Sequence, residues 1–245
     1  MPPPPPSPAF TLIELVVVIG IVAVLVSITI PALATARQTS QRIKCLANLR
    51  SLGQGLQNYM NDSKDRLPFV RPLHEPGGNQ NNPSLLDVMV QYLSIQAPAH
   101  SDPNDTASPY INVADIFRCP SDRVGKDPTT AYMPVWQSSG TSYEYFAGEA
   151  MLGALQAFVK DPALAVTLTY QMPRWQTLPV IVDYDDWHPL RAKANSVPRN
   201  ALYFGDWHVD WSTPILKLDD KSAIVTDLIC DIVKRNGGVP LPGCN

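Results

Sequence analysis

Acids and imidazoles gather in the last third of the chain, at Asp183, Asp185, Asp186, His188, Asp206, His208 and Asp210. Such residues can hold a divalent cation or activate water for hydrolysis. Asp183, Asp185, Asp186 and Asp206 form the candidate metal set, and their oxygen donors would suit a structural calcium. The run Asp183-Tyr184-Asp185-Asp186 lacks the glycine and terminal glutamate of a twelve-residue calcium loop. The chain also has no His-Glu-x-x-His, no Gly-x-Ser-x-Gly and no phosphate-cradling glycine loop. Turn acids flanking strands account for the same residues. No catalytic residue is therefore assigned, no cofactor is required, and the chain is read as a non-enzyme. The second reactive group is Cys45, Cys119, Cys230 and Cys244. Four cysteines allow three disulfide pairings. A zinc site competes with them, although no Cys-x-x-Cys spacing is present.

The elements that must position these groups follow from periodicity. Cys45, Leu49, Leu52, Leu56 and Tyr59 recur at spacings of four and three, one face of an amphipathic helix. Gly53 and Gly55 weaken that helix by about 1 kcal/mol each relative to alanine, and mark close packing or a soft spot. Asn61-Asp62 ends it. Pro72 to Pro83 and His100 to Pro109 read as loops. Leu85 to Leu93 reads as a short helix capped by Ser84. Met151 to Lys160 and Ser222 to Arg235 also read as helices, the last stopped by Gly237-Gly238. Tyr143 to Phe146, Val166 to Tyr170, Val180 to Tyr184 and Ala201 to Phe204 read as strands from their β-branched and aromatic content. His208 to Trp211 extends the last into a hairpin. Trp187, Trp207 and Trp211 serve as core or hairpin cover.

From Phe10 to Ala36 the only ionisable side chain is Glu14. The uncharged stretch from Leu15 to Ala36 is long enough to cross a hydrocarbon core of roughly 30 Å. A carboxylate in such a segment costs a few kcal/mol and needs a partner. The order Phe10-Thr11-Leu12-Ile13-Glu14-Leu15 resembles the N-terminal signature of type IV pilins and type II secretion pseudopilins. The resemblance implies cleavage between Ala9 and Phe10 by a prepilin peptidase and methylation of the new amine of Phe10. Glu14 then becomes the fifth residue of the mature chain and Pro31 the twenty-second, the positions at which that family uses them for assembly. Three further strings carry a narrower likeness: Lys44 to Gly53, Phe117-Arg118-Cys119-Pro120-Ser121-Asp122, and Asn200 to Trp211. Together they resemble planctomycete-type pilin-like proteins with a terminal Asp-Gly-His-Val hairpin and an upstream histidine. Here Trp207 replaces that glycine, and Ser196 stands where the histidine is expected; His188 is the nearest substitute. Ala9 stands where glycine usually precedes the cut, and residues 1–8 carry no Lys or Arg. The first basic residues, Arg37, Arg42, Lys44 and Arg50, follow the span. Charge bias alone would keep that side in the cytoplasm, whereas the resemblance places it outside, and large domains can translocate regardless of charge.

An anchored domain outside the cytoplasm meets oxidising conditions. We therefore expect Cys45–Cys119 to tie the stem helix to the Cys-Pro-Ser-Asp string, and Cys230–Cys244 to pin the tail. With 245 residues, 45% of them hydrophobic, a formal charge of -3 and 25 prolines, the chain has no basic stripe for nucleic acid and many short elements. The expected architecture is an α+β pilin fold, with a long N-terminal transmembrane and stem helix packed on a small antiparallel sheet with extra short helices. Its parts are a leader (1–9), a transmembrane helix (10–36), an amphipathic stem (37–61) and a periplasmic or extracellular globular domain (62–245). One continuous helix from Phe10 to Tyr59, bent at Pro31, would join anchor and stem. The expected function is a structural subunit of a type II secretion pseudopilus or type IV pilus-like filament. Such a subunit is single-pass in the inner membrane, and its partners are the membrane, the peptidase and other pilin or pseudopilin subunits. The alternative is a membrane-anchored envelope protein or metal-dependent hydrolase that uses the segment only for export.

Overall fold

The computed structural model describes residues 11–70, 83–105, 108–125, 128, 132–188, 197–212 and 221–244. The chain divides into two compact units, Met1–Ser40 and Gln41–Asn245. Residues Ala9 and Phe10, and most of the loop expected from Pro72 to Pro83, lie outside the described residues.

In the first unit a single helix dominates. Helix α1 runs from Leu12 to Asp62, 51 residues, and remains helical on both sides of Pro31. Its N-terminus closes a capping box: the Thr11 backbone N–H donates to Glu14 Oε2 (2.9 Å), and the Glu14 N–H donates to Thr11 Oγ1 (3.3 Å). Thr11 Oγ1 also donates to the carboxylate at 2.7 Å. Further along, Ser27, Thr29 and Thr35 turn their hydroxyls back onto the carbonyls of Val24, Val26 and Pro31. Hydroxyl donors are thus satisfied within the helix, as an apolar surround requires.

The second unit is α+β. Its four-stranded antiparallel sheet takes the order β3-β4-β5-β6, from β3 (Tyr143–Tyr145), β4 (Pro179–Asp183), β5 (Val197–Tyr203) and β6 (Val209–Ser212). Spatial order follows chain order, so every pairing is between consecutive strands. Helices α4 (Phe146–Gln156) and α5 (Pro162–Tyr170) fill the connection from β3 to β4. A separate ribbon pairs β1 (Ala99–His100) with β2 (Tyr110–Ile111). Helix α2 (Leu85–Leu93) has the expected Ser84 cap, in a full capping box with Asp87. A 3-10 turn (Asp115–Phe117), α3 (Val135–Ser139) and α6 (Lys221–Asn236) complete the unit.

Roughly the last five turns of α1, from Cys45 on, supply one wall of the core. Cys45, Leu49, Leu52, Leu56 and Met60 are buried, whereas Tyr59 is half-buried. Both stem glycines mark close approach. A Cβ on Gly53 would sit 3.0 Å from Leu202 Cδ1 and 3.2 Å from Trp207 Cβ; one on Gly55 would sit 3.0 Å from Leu93 Cδ2.

Two expected elements are corrected. Val166 to Tyr170, expected as a strand, forms the second half of α5. Asp161 caps that helix by accepting from the Leu164 N–H, and Pro162 occupies its first turn. Thr167 and Thr169 return their hydroxyls to the carbonyls of Ala163 and Ala165, which makes β-branched residues tolerable in a helix. The helix expected from Met151 to Lys160 starts earlier, at Phe146, directly from the end of β3. Gly148, a weak helix former, obscured that start. Gly148 lets the helix approach the Tyr145 ring and the Val70 carbonyl, and Gly153 lets it approach Ile229.

Candidate functional site

A polar cluster lies inside the second unit, where α1 meets the sheet and the Cys-Pro-Ser-Asp string. At its centre Cys45 and Cys119 are joined by a disulfide with a Cα–Cα distance of 5.0 Å, closing 74 residues of sequence. Asn48, one turn on from Cys45, is buried and donates from Nδ2 to the carbonyls of Asp115 and Arg118, both at 2.8 Å. Phe117 and Cys119 are buried against the same helix face. The string itself is a turn, with the Asp122 N–H bonded to the Cys119 carbonyl. Asp122 accepts from the N–H groups of Val135 and Trp136 and from Ser142 Oγ (2.7 Å). Ser142 Oγ in turn accepts from the Cys119 N–H. Burial pushes the Asp122 carboxyl up, against the pull of these donors.

The sheet register brings the acids of the sequence to different places. Asp183 ends β4, opposite Tyr143 of β3. It is fully buried, and its Oδ2 accepts from the Asn200 N–H (2.7 Å) and Nδ2 (2.8 Å). Asn200 Oδ1 accepts from Arg42 Nε at 3.0 Å, and the Arg42 guanidinium lies 3.6 Å over the Trp211 ring. Asp185 is buried beside Arg199, whereas Asp186 is exposed. Asp206 is exposed at the β5–β6 turn, where its Oδ1 accepts from the His208 N–H and contacts Nδ1 at 2.6 Å. The four acids Asp183, Asp185, Asp186 and Asp206 are therefore not brought together. Among the described residues, the one group of three or more His, Cys, Asp or Glu donors within mutual ligand distance is Cys45, Cys119 and His188.

His188 is the residue whose position sequence reasoning left open. It is buried, with Nε2 3.4 Å from Cys119 Sγ and 3.5 Å from Asp183 Oδ2. Its Nδ1 lies 3.5 Å from Ser121 Oγ. Burial lowers its pKa to about 4, with the Arg42 charge adding to the effect. Burial raises Asp183 to about 7, opposed by the two Asn200 hydrogen bonds and by Arg199 and Arg42. In the disulfide-bonded protein near pH 5.5 the folded pair thus keeps its proton on the carboxyl. The unfolded chain, with ordinary values, keeps it on the imidazole. Proton counts match, so the two groups' contributions to the pH dependence of stability cancel between about pH 4 and 6.5.

His188→Gln removes one side of that balance. The folded variant then holds a proton on Asp183 that the unfolded chain has lost. Its stability should fall as pH rises from about 4 to about 7, by up to about 1.4 kcal/mol per pH unit. Melting temperatures at about pH 4.5 and about pH 6.5 check this; parallel shifts in wild type and variant would contradict it.

The hairpin tip explains the tryptophan at the glycine position. Trp207 has φ 55°, the left-handed region that glycine enters most easily. Its indole Nε1 donates to Gln57 Oε1 at 2.7 Å, and its ring meets Phe204 edge-on at 5.5 Å. Packing over Gly53 offsets the backbone cost. An open hollow remains between Arg50, Gln54 and Gln57 of the stem and the Asp206-Trp207-His208 tip.

The other candidate surface is the helix of the first unit. Every large hydrophobic residue from Leu12 to Leu33 is exposed, and the most apolar 18-residue window of α1 has a mean hydropathy of 2.9 with none of it buried. The helix is long and apolar enough to cross a membrane. Comparison with family models, characterised proteins and solved structures finds no match, so function is argued from the chain's own residues.

Proposed function

We propose that the chain is a pilin-like structural subunit of a type II secretion pseudopilus or type IV pilus-like filament. In this reading it is cut between Ala9 and Phe10 by a prepilin peptidase, anchored singly in the inner membrane, and assembled with like subunits through α1. Its globular unit lies on the periplasmic or extracellular side. One observation carries the reading: a single helix serves as buried core wall over Cys45–Met60 and as exposed apolar surface over Leu12–Leu33. That surface needs a cover, and a bilayer or a bundle of identical helices supplies one. Glu14 at its head adds a carboxylate that a bundle of such helices can use between subunits. In a bundle, the Phe10 amine of one subunit and the Glu14 carboxylate of its neighbour each escape a desolvation penalty of several kcal/mol by pairing, which fixes axial register.

Glu14 already has a local role, since it closes the Thr11 capping box. Glutamine also occupies that third position of the box, its amide oxygen accepting in place of the carboxylate. Glu14→Gln therefore keeps the capping geometry and shape while removing the charge, at a small cost to the cap. We expect unchanged membrane insertion and a mature N-terminus still beginning at Phe10 by mass spectrometry. Recovery in sheared filaments, or support of secretion, should fall at least about tenfold. Wild-type assembly by the variant would show that the acid is not the register device. An uncut N-terminus together with monomeric protein would favour the export-anchor alternative, an envelope protein or metal-dependent hydrolase.

A further inference from the structure

The disulfide, His188 and Asp183 converge more closely than a cross-link requires. The Sγ atoms of Cys45 and Cys119 and a ring nitrogen of His188 all lie within 4.8 Å of one another. All three residues are buried. In a tetrahedral zinc site, with Zn–S of about 2.3 Å and Zn–N or Zn–O of about 2.0 Å, the edges are about 3.6 Å for S···N and about 3.3 Å for N···O. Here Cys119 Sγ to His188 Nε2 is 3.4 Å, and His188 Nε2 to Asp183 Oδ2 is 3.5 Å.

A second observation points the same way. Asp183 is fully buried, yet its Oδ1 has no hydrogen-bond partner among the described residues. Its other oxygen is held by Asn200, which is held in turn by Arg42. Ser121 sits against Nδ1 of the imidazole, the outer contact that orients a histidine ligand and leaves Nε2 to face the sulfur. Two sulfurs and an oriented imidazole are the donors already within mutual reach; the Asp183 carboxylate, which meets the imidazole through Oδ2, stands outside that group and becomes the fourth donor by turning its free Oδ1 inward.

We propose that, when Cys45 and Cys119 are reduced, this cluster binds one zinc ion through their two thiolates, His188 Nε2 and the Asp183 carboxylate. The sulfurs must separate from about 2 Å to about 3.8 Å. Cys45 is fixed on α1, but Cys119 lies on irregular chain after the 3-10 turn, where a side-chain rotation supplies the movement. Zinc and disulfide are then alternative cross-links at one place, tying the stem to the sheet in reducing and in oxidising surroundings respectively. Conversion between them balances. The two thiolates give two electrons to the disulfide of a thiol oxidant, and the Cys45–Cys119 bond forms. The oxidant's own S–S bond breaks to two thiolates, and Zn²⁺ departs. Cys230 and Cys244 form the other disulfide, and no third donor stands beside them among the described residues.

The test uses the full chain in detergent micelles, reduced with a phosphine, freed of metal under inert gas and titrated with Co²⁺ and then Zn²⁺. Reduced wild type should take up one equivalent of Co²⁺ with thiolate charge-transfer bands and the strong visible bands of a tetrahedral ion, and Zn²⁺ should displace it. Oxidised protein should show neither. The Cys230→Ala/Cys244→Ala variant should behave as wild type. Cys45→Ala/Cys119→Ala should lose the spectrum, and His188→Gln should bind at least about tenfold more weakly. A reduced wild type without the cobalt spectrum would overturn the proposal. So would a spectrum that survives Cys45→Ala/Cys119→Ala, or equal affinity in His188→Gln. Should the reduced chain be unfolded, refolding on Zn²⁺ seen by far-UV circular dichroism supports the site, and its absence rejects it.

Discussion

Replacing Cys45 and Cys119 together by alanine should cost the folded protein about 4 kcal/mol, a fall in melting temperature of roughly 10 °C. The bond closes 74 residues. On the chain-entropy account its loss frees a long loop in the unfolded state, whereas the native contacts around it survive. Cys230–Cys244 closes only 14 residues, so its removal should cost about 3 kcal/mol. The longer loop also joins two regions that secondary structure does not connect. Asn48 would still tie α1 to the segment before Cys119 through its two carbonyl contacts, beside the apolar packing of Phe117. Urea unfolding of the two double variants under oxidising conditions decides the order. A larger loss from the tail disulfide would show that loop length is not what sets the effect.

The second large effect contrasts two leucines of one helix. Leu49 is fully buried in the core, and Leu33 is 70% exposed. Leu49→Ala removes methyl groups packed in the core cluster and leaves a cavity that its neighbours can close only partly, so a loss of about 2–5 kcal/mol is expected. Leu33→Ala should leave the melting temperature of the globular unit within about 1 °C of wild type, because no packed neighbour loses contact. Its effect should fall instead on membrane partition, where apolar area lost to water costs about 25 cal/mol per Å². Thermal melts in detergent separate the two. A comparable loss from Leu33→Ala would mean that the exposed half of α1 contributes to the fold of the globular unit.

What the sequence shows of this fold depends on how local each signal is. The stem face was legible because Cys45, Leu49, Leu52 and Leu56 repeat with the period of the helix they form. Leu85 to Leu93 was legible because Ser84 and Asp87 write a capping box into four residues. Composition misled at Val166 to Tyr170. Three β-branched residues and a tyrosine outweighed Asp161-Pro162, the start signal that governs the segment. The apolar run at the N-terminus was plain, whereas the Thr11–Glu14 box at its head rests on the same carboxylate whose charge dominates the segment.

The polar cluster was least legible. His188 and Cys119 are 69 residues apart, and Asn48 and Arg118 are 70 apart. No spacing rule links such pairs; they meet because β4 ends at Asp183 and the chain then turns back over the string. The clustered letters Asp183, Asp185, Asp186 and Asp206 suggested one site. The pleat and the hairpin instead bury Asp183 and Asp185 while Asp186 and Asp206 face water.

The pairing pattern carries a consequence for biogenesis. The cysteines join first to second and third to fourth in chain order. A polypeptide crossing a membrane from its N-terminus presents Cys45 alone, then Cys119 as its first available mate, and only later Cys230 and Cys244. An enzyme that merely couples thiols in order of arrival makes the native set. Thiol–disulfide shuffling, slow at seconds to hours, is needed only to repair errors. If the chain is exported as proposed, its maturation asks for a thiol oxidase and little help from an isomerase.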